Sequence, residues 1–214
     1  MNILLAGQKW FGAEVYKTLK EIKGIKVSHI SAPIQYDKAD RLQFHANQDG
    51  VPIIPAGTLN KYTMPDGIDL IVTAHSHDFI GEATRLRARF GGIGYHPSLL
   101  PLHRGRDSVE WTIRMGDKVT GGTVYRLSNK TDGGNIIKQE HVFVEKGDTA
   151  RNLWEEKLGP MGVRLLAESV RQFRDGGFIN GTPQNEKIAT WEPSITREAL
   201  YKPDLILLPA YCLG

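Results

Sequence analysis

Short apolar runs alternate along this chain with stretches in which apolar side chains return every third or fourth position. "NILLA" (2–6) is an unbroken apolar run closed by Gly7, and after it Phe11, Val15, Leu19 and Ile22 recur at helical spacing until Gly24. That change of period predicts a strand followed by a helix. "IKVSHISA" predicts a second strand, "DKADRLQFHANQDG" a helix ending at Gly50, and "VPII" a short strand. "IDLIVTA" (68–74) is apolar enough to be buried on both faces, as a central parallel strand is. A helix through "FIGEATRLRARF" (79–90) and a strand at "GGIGY" (91–95) complete the first half.

The pattern then changes. "TGGTVYRLS" and "GNIIKQEHVFV" are β-rich and only a few residues apart, which predicts an antiparallel hairpin at a sheet edge. From Asp148, read as an N-cap, Leu153, Leu158, Leu165, Val170 and Phe173 mark the apolar face of a long helix that Gly176 and Gly177 end and Pro160 kinks. Residues 181–214 contain several prolines and no sustained period. Strands alternating with helices of these lengths predict an α/β fold with an open, mostly parallel, Rossmann-like sheet. The expected division is a domain over 1–180 with a C-terminal extension, 181–214, packed on it.

A length of 214 residues suits that single domain plus extension. Cys212 is the single cysteine, so no disulfide framework is expected. No apolar stretch approaches the roughly 20 residues that span a bilayer, and the start "MNILLAG" lacks the features of a secretion signal, so a cytoplasmic protein without a membrane partner is expected. The net charge of +3 is too small, and its lysines and arginines too scattered, to argue for a dedicated nucleic-acid binder. The local cluster Arg85, Arg87 and Arg89 reads as a solvated helix face.

In an open parallel sheet ligands bind beyond the carboxyl ends of the strands. Two unusual polar loops fall there, "HSHD" (75–78) and the loop that begins at His96. "GQKWFG" (7–12) has neither the G-x-G-x-x-G spacing nor a Gly-Lys-Ser/Thr ending, so a nicotinamide or nucleotide cofactor is not supported. His75 and His77 lack a third ligand at fitting spacing, so no metal is expected. Taken alone, His96 is either a strand-end histidine bonded to backbone or a proton-transfer group. Asp132, before Gly133 and Gly134, is either a turn residue or a carboxylate partner. Ser98 to Pro101 shape the loop, and His103 and Arg104 either touch a substrate or lie in a solvated loop.

"YHPSLLPLHRG" (95–105), followed by Trp111, Gly116, Asp117 and then "TDGGN" (131–135), resembles the folate-dependent formyltransferase family. That family includes glycinamide ribonucleotide and methionyl-tRNA formyltransferases, sugar N-formyltransferases and the hydrolase domain at the start of 10-formyltetrahydrofolate dehydrogenase. "GQKWFGAEVYKTL", "DKADRLQFHANQDGVPI" and "ATWEPSI" look most like that hydrolase domain, and the resemblance runs from residue 1 to about 195.

The resemblance implies 10-formyltetrahydrofolate as formyl donor and a small-molecule amine, or water, as acceptor. It implies that His96 supports the formyl oxygen while Asp132 positions water and holds the histidine's charge. It also places the pteridine against the loop of His77, Asp78, Phe79 and Ile80 and against the turn at Gly133 and Gly134. Family transferases carry an asparagine two residues before the histidine. Here that place is Gly94, which either removes an oxyanion donor or serves backbone geometry at positive φ. Transfer to a charged methionyl-tRNA is an alternative, although members acting on tRNA carry a further C-terminal domain. A folate-holding module with little catalysis is another. Acceptor identity and oligomeric state stay open on sequence.

Overall fold

The computed structural model describes residues 1–35, 39–76 and 78–195; His77 and the tail from 196, with Cys212, lie outside them. Seven strands form one sheet in the order β3-β2-β1-β4-β5-β6-β7. They are β1 (Asn2–Gly7), β2 (Lys26–Ala32), β3 (Ile53–Pro55), β4 (Leu70–Ala74), β5 (Gly92–His96), β6 (Val119–Arg126) and β7 (Ile136–Phe143). Pairings from β3 to β5 are parallel, and β5–β6 and β6–β7 are antiparallel. This is the expected open α/β sheet with its hairpin at the edge.

Period 2 explains how β1 serves two cores. Ile3 and Leu5 point into one with Phe11, Val15 and Leu19 of α1 (Lys9–Lys20) and Leu165, Val170 and Phe173 of the long C-terminal helix. Leu4 and Ala6 point the other way, onto Leu59, Met64, Ile71 and Ile80. All four β1 residues are fully buried, so the run is apolar throughout rather than alternating. Helix α2 (Arg41–Gln48) starts at Asp40, which makes a reciprocal capping box with Gln43.

Two expected helices differ from their sequence pattern. The helix over 79–90 shrinks to α3 (Glu82–Arg85). Beyond it the backbone turns to bond the approach to β4, Arg89 N–H donating to Ile68 O and Phe90 N–H to Asp69 O. Phe90 thereby reaches Phe173, with ring centres 5.9 Å apart. Arg85 is buried rather than on a solvated face.

The C-terminal helix begins at Thr149, not Asp148. Thr149 and Asn152 cap each other across the first turn, α5 (Ala150–Asn152). Asp148 instead accepts from the Glu145 N–H at 2.9 Å and from Lys157 at 3.0 Å. These contacts hold its carboxyl below the usual range. A π-helical turn, Leu153–Leu158, then resets the register before α6 (Gly159–Gly176). Pro160 falls in the first turn of α6, directly after the π-helical turn, where the run of i to i−4 bonds is already interrupted.

Helix α4 (Ser108–Met115) follows the loop after β5, and residues 182–195 run back across that loop as a strap, Thr190 bonding the backbone of Pro101 and Arg104. Among the described residues no helix is long and apolar enough to cross a membrane.

Candidate active site

The carboxyl end of β4, the loop after β5, the β6–β7 connection and the strap meet at one edge of the sheet. Between the first and third of these lies a cavity of about 280 Å³. Thr73, Ser76, Asp78, Phe79 and Ile80 line one side, and Tyr125, Leu127, Lys130 and Asp132 are on the other. Ile80 is buried and Phe79 exposed, giving the cavity an apolar floor and an aromatic rim.

Asp132 sits on the cavity wall with φ 50°, a left-handed conformation that aspartate tolerates in turns. Each carboxylate oxygen has its own donor: the Tyr125 hydroxyl gives to Oδ1 at 2.6 Å and the Gly105 N–H to Oδ2 at 2.8 Å. Burial, reinforced by the Asp132 charge, pushes the Tyr125 phenol well above its ordinary pKa, so it remains a donor. The two glycines that follow make the turn possible without lining the cavity. A Cβ on Gly134 would fall 1.7 Å from Arg126 O, and one on Gly133 would fall 2.7 Å from Lys130 Cβ.

His96 ends β5, opposite Thr123 of β6. Its Nε2 lies 2.6 Å from the His103 carbonyl, which only accepts, so Nε2 carries the hydrogen. Nδ1 is left facing Asp132 Oδ2 at 3.6 Å, beyond hydrogen-bond length but close enough for charge to act. The ring is buried and stands behind Asp132, outside the cavity lining. The histidine and aspartate singled out in sequence are thus brought together, with the aspartate alone facing the space.

Gly94 does not have the positive φ that its backbone reading required. It lies in regular ladder, paired with Thr73 of β4 and Tyr125 of β6. What it supplies is room: a Cβ there would come 2.5 Å from Thr73 Oγ1 and 3.3 Å from Tyr125 Cε1. Asp78 lines the cavity, but its carboxylate is engaged, accepting from Ser31 Oγ at 3.1 Å and from the Gly57 N–H at 2.6 Å. It braces the loop that carries Phe79 and Ile80. His77, expected beside it, is outside the described residues.

His103 and Arg104 are buried, which overturns the solvated-loop reading. His103 stands between two carboxylates, with Nε2 2.7 Å from Asp117 Oδ2 and Nδ1 3.1 Å from Glu192 Oε1. The second contact lacks hydrogen-bond alignment. Arg104 binds Gln184 and Glu186. The Gln184 amide also donates to the carbonyls of Asp132 and Gly134, at 2.7 Å each. The strap therefore reaches the backbone of the Asp132 turn through Gln184 and that of the loop after His96 through Thr190.

Sequence reasoning missed Tyr125, Thr73 and the His103 cluster. Alternation in "TGGTVYR" puts Thr123 and Tyr125 on one face, but only the antiparallel register sets Tyr125 opposite Gly94. Among the described residues no three His, Cys, Asp or Glu side chains gather as a metal site.

The family model described as "Formyl transferase" matches residues 56–169. The mitochondrial 10-formyltetrahydrofolate dehydrogenase of Mus musculus is 34% identical over 202 residues, 90% of this chain and 22% of that protein. This chain thus spans about a fifth of the length of such relatives. Among solved structures, the phosphoribosylglycinamide formyltransferase of Bacillus halodurans superposes with TM-score 0.69 at 21% identity, covering 82% of this chain and 96% of that one. The N-formyltransferase of Helicobacter canadensis, in complex with folinic acid and dTDP-3-aminofucose, gives TM-score 0.72 at 17% identity, covering 89% and 70%.

Proposed function

Because this chain belongs to the formyl transferase family, we propose that it binds 10-formyltetrahydrofolate in the cavity beside Asp132 and passes the formyl group to an amine or to water. The observation that carries the reading is Asp132 itself: a carboxylate on the cavity wall, fixed by Tyr125 and Gly105, with His96 Nδ1 3.6 Å behind it. The folinic acid named with the Helicobacter canadensis structure supports a reduced folate as the ligand.

Formyl transfer breaks the bond between the formyl carbon and N10 and forms one from that carbon to the nucleophile. The nucleophile loses a proton, and N10 gains one. Asp132 is the group placed to draw the nucleophile's proton, and His96 Nδ1 is the base next to it. With Nε2–H held by the His103 carbonyl, a proton arriving at Nδ1 makes an imidazolium beside a carboxylate, whose charge stabilises it. Return of that proton to N10 closes the cycle. Thr73 Oγ1, on the cavity wall beside Gly94, makes a long bond of 3.4 Å to the Ile93 carbonyl, and turned from it the hydroxyl would support the formyl oxygen as it gains charge. Ile80, Phe79 and Leu127 would hold the pteridine by apolar contact.

The test is incubation with 10-formyltetrahydrofolate, with and without candidate amines, following tetrahydrofolate and formylated product by mass spectrometry. Release without any amine establishes hydrolysis, and amine-dependent release establishes transfer. Binding without turnover leaves a folate-holding module. No binding of any reduced folate at millimolar concentration overturns the assignment.

A further inference from the structure

Leu127 walls a second cleft, on the far side from the first cavity, between α3, the lead into β5 and the end of β6. Its lining holds three guanidinium groups, Arg85, Arg89 and Arg126, against one carboxylate, Glu82. Glu82 already accepts from the Asn129 amide at 3.1 Å. Asp69 comes only within 3.9 Å of Arg89, whose side chain is 72% exposed. Arg87, from the same run, is spent elsewhere, on the Lys61 carbonyl and Asp66.

Arg126 has no such outlet. Its guanidinium carbon lies 4.5 Å from the Phe178 ring centre and 5.6 Å from that of Phe173. It packs over Gly91, where a Cβ would come 3.1 Å from Nη2. Nη1 is shut off from solvent with no protein acceptor among the described residues, and burial lowers the pKa of the group. Arg89 is likewise stacked, 4.8 Å over Phe90. Aromatic stacking holds a planar guanidinium in place while leaving edge donors for the oxygen atoms of a phosphate or carboxylate.

We infer that this cleft binds a small dianionic oxyanion, a phosphate or a dicarboxylate, with the Arg126 guanidinium at its base and Arg89 as the arm at its mouth. Arg85 ties the cleft to the first cavity, because Nη1 donates to the Ile80 carbonyl at 2.5 Å and Nη2 to Asn129 Oδ1 at 2.7 Å. An anion in the cleft therefore bears on the loop that carries Ile80. The site is independent of the folate assignment, and its test needs no folate.

Thermal denaturation and calorimetry with inorganic phosphate or succinate, against potassium chloride at equal ionic strength, decide the matter. Saturable binding beyond the chloride control is expected. Arg126→Gln should weaken it by about tenfold or more and Arg89→Gln by at least about threefold, while Arg151→Gln, on the exposed turn α5, leaves it unchanged. The tighter of the two probes identifies phosphate or carboxylate as the group taken. If Arg126→Gln does not fold, Arg89→Gln decides alone. Absence of saturable binding by either anion, or wild-type affinity in the folded arginine variants, overturns the inference.

Discussion

Two histidines seven residues apart, His96 at the end of β5 and His103 in the loop that follows, are both buried and both meet carboxylates, yet they face opposite circumstances. At the His96 end the carboxylate belongs to Asp132, looks into a cavity and stands 3.6 Å from the ring. At the His103 end Asp117 and Glu192 close on both nitrogens, at 2.7 and 3.1 Å, and Glu192 is itself buried. A loose pair beside open space has room to exchange a proton with a ligand. A tight cluster around a buried histidine and a buried glutamate holds position. The His103 carbonyl joins the two by fixing Nε2 of His96.

The largest expected effect breaks the tight end. His103→Leu leaves the buried Glu192 carboxylate uncompensated, a change that costs roughly 3–5 kcal/mol for buried pairs. A large fall in the urea midpoint should follow, with kcat of the folded fraction reduced far less than stability. A melting curve like the wild type would show that the cluster holds nothing. Next come His96→Ala and Asp132→Asn, each expected to lower kcat by about 10² to 10³ while folate affinity changes little, with the double variant hardly worse than either single one. Additive losses would separate two residues that the proposal treats as one unit.

Gly94→Asn is smaller in effect and runs opposite to what its sequence position suggests. With Thr73 Oγ1 2.5 Å from any Cβ, the added side chain should destabilise by roughly 1–3 kcal/mol through overpacking and slow turnover as well. A stable, faster variant would show that the strand yields. The smallest effect is alkaline. The Tyr125 pKa is raised in the folded state, so its contribution to stability is complete below the ordinary value of 10.0 and is lost as pH rises above it. Tyr125→Phe should flatten the loss of stability above about pH 10 without abolishing it, because Tyr16 and Tyr95 are raised too. An unchanged alkaline slope would remove Tyr125 from that account.

The same contrast explains what the sequence disclosed. β1 and β4 were legible because burial on both faces writes an unbroken apolar run. His96 and Asp132 were legible through their motifs, which are local. The His103 cluster was not, because it depends on a strap that bonds the loop from 87 residues away, Thr190 Oγ1 accepting from the His103 N–H. Tyr125 was hidden by the antiparallel register, and the shortened α3 by backbone bonds to residues before β4. Thr149 outcompeted Asp148 as a cap because Lys157 and the Glu145 N–H occupy the aspartate.

The strap also sets an order in time. Gln184, Thr190 and Glu192 are the groups that engage Arg104, His103 and the Asp132 backbone. During synthesis they follow the loop by some eighty residues, an interval of about 4 to 16 s at ribosomal rates of roughly 5–20 residues per second. For that interval Arg104 lacks its amide and acidic partners, and His103 has Asp117 but not Glu192. The loop with the proposed catalytic histidine is therefore fastened on that side only once residues 184–192 have been made.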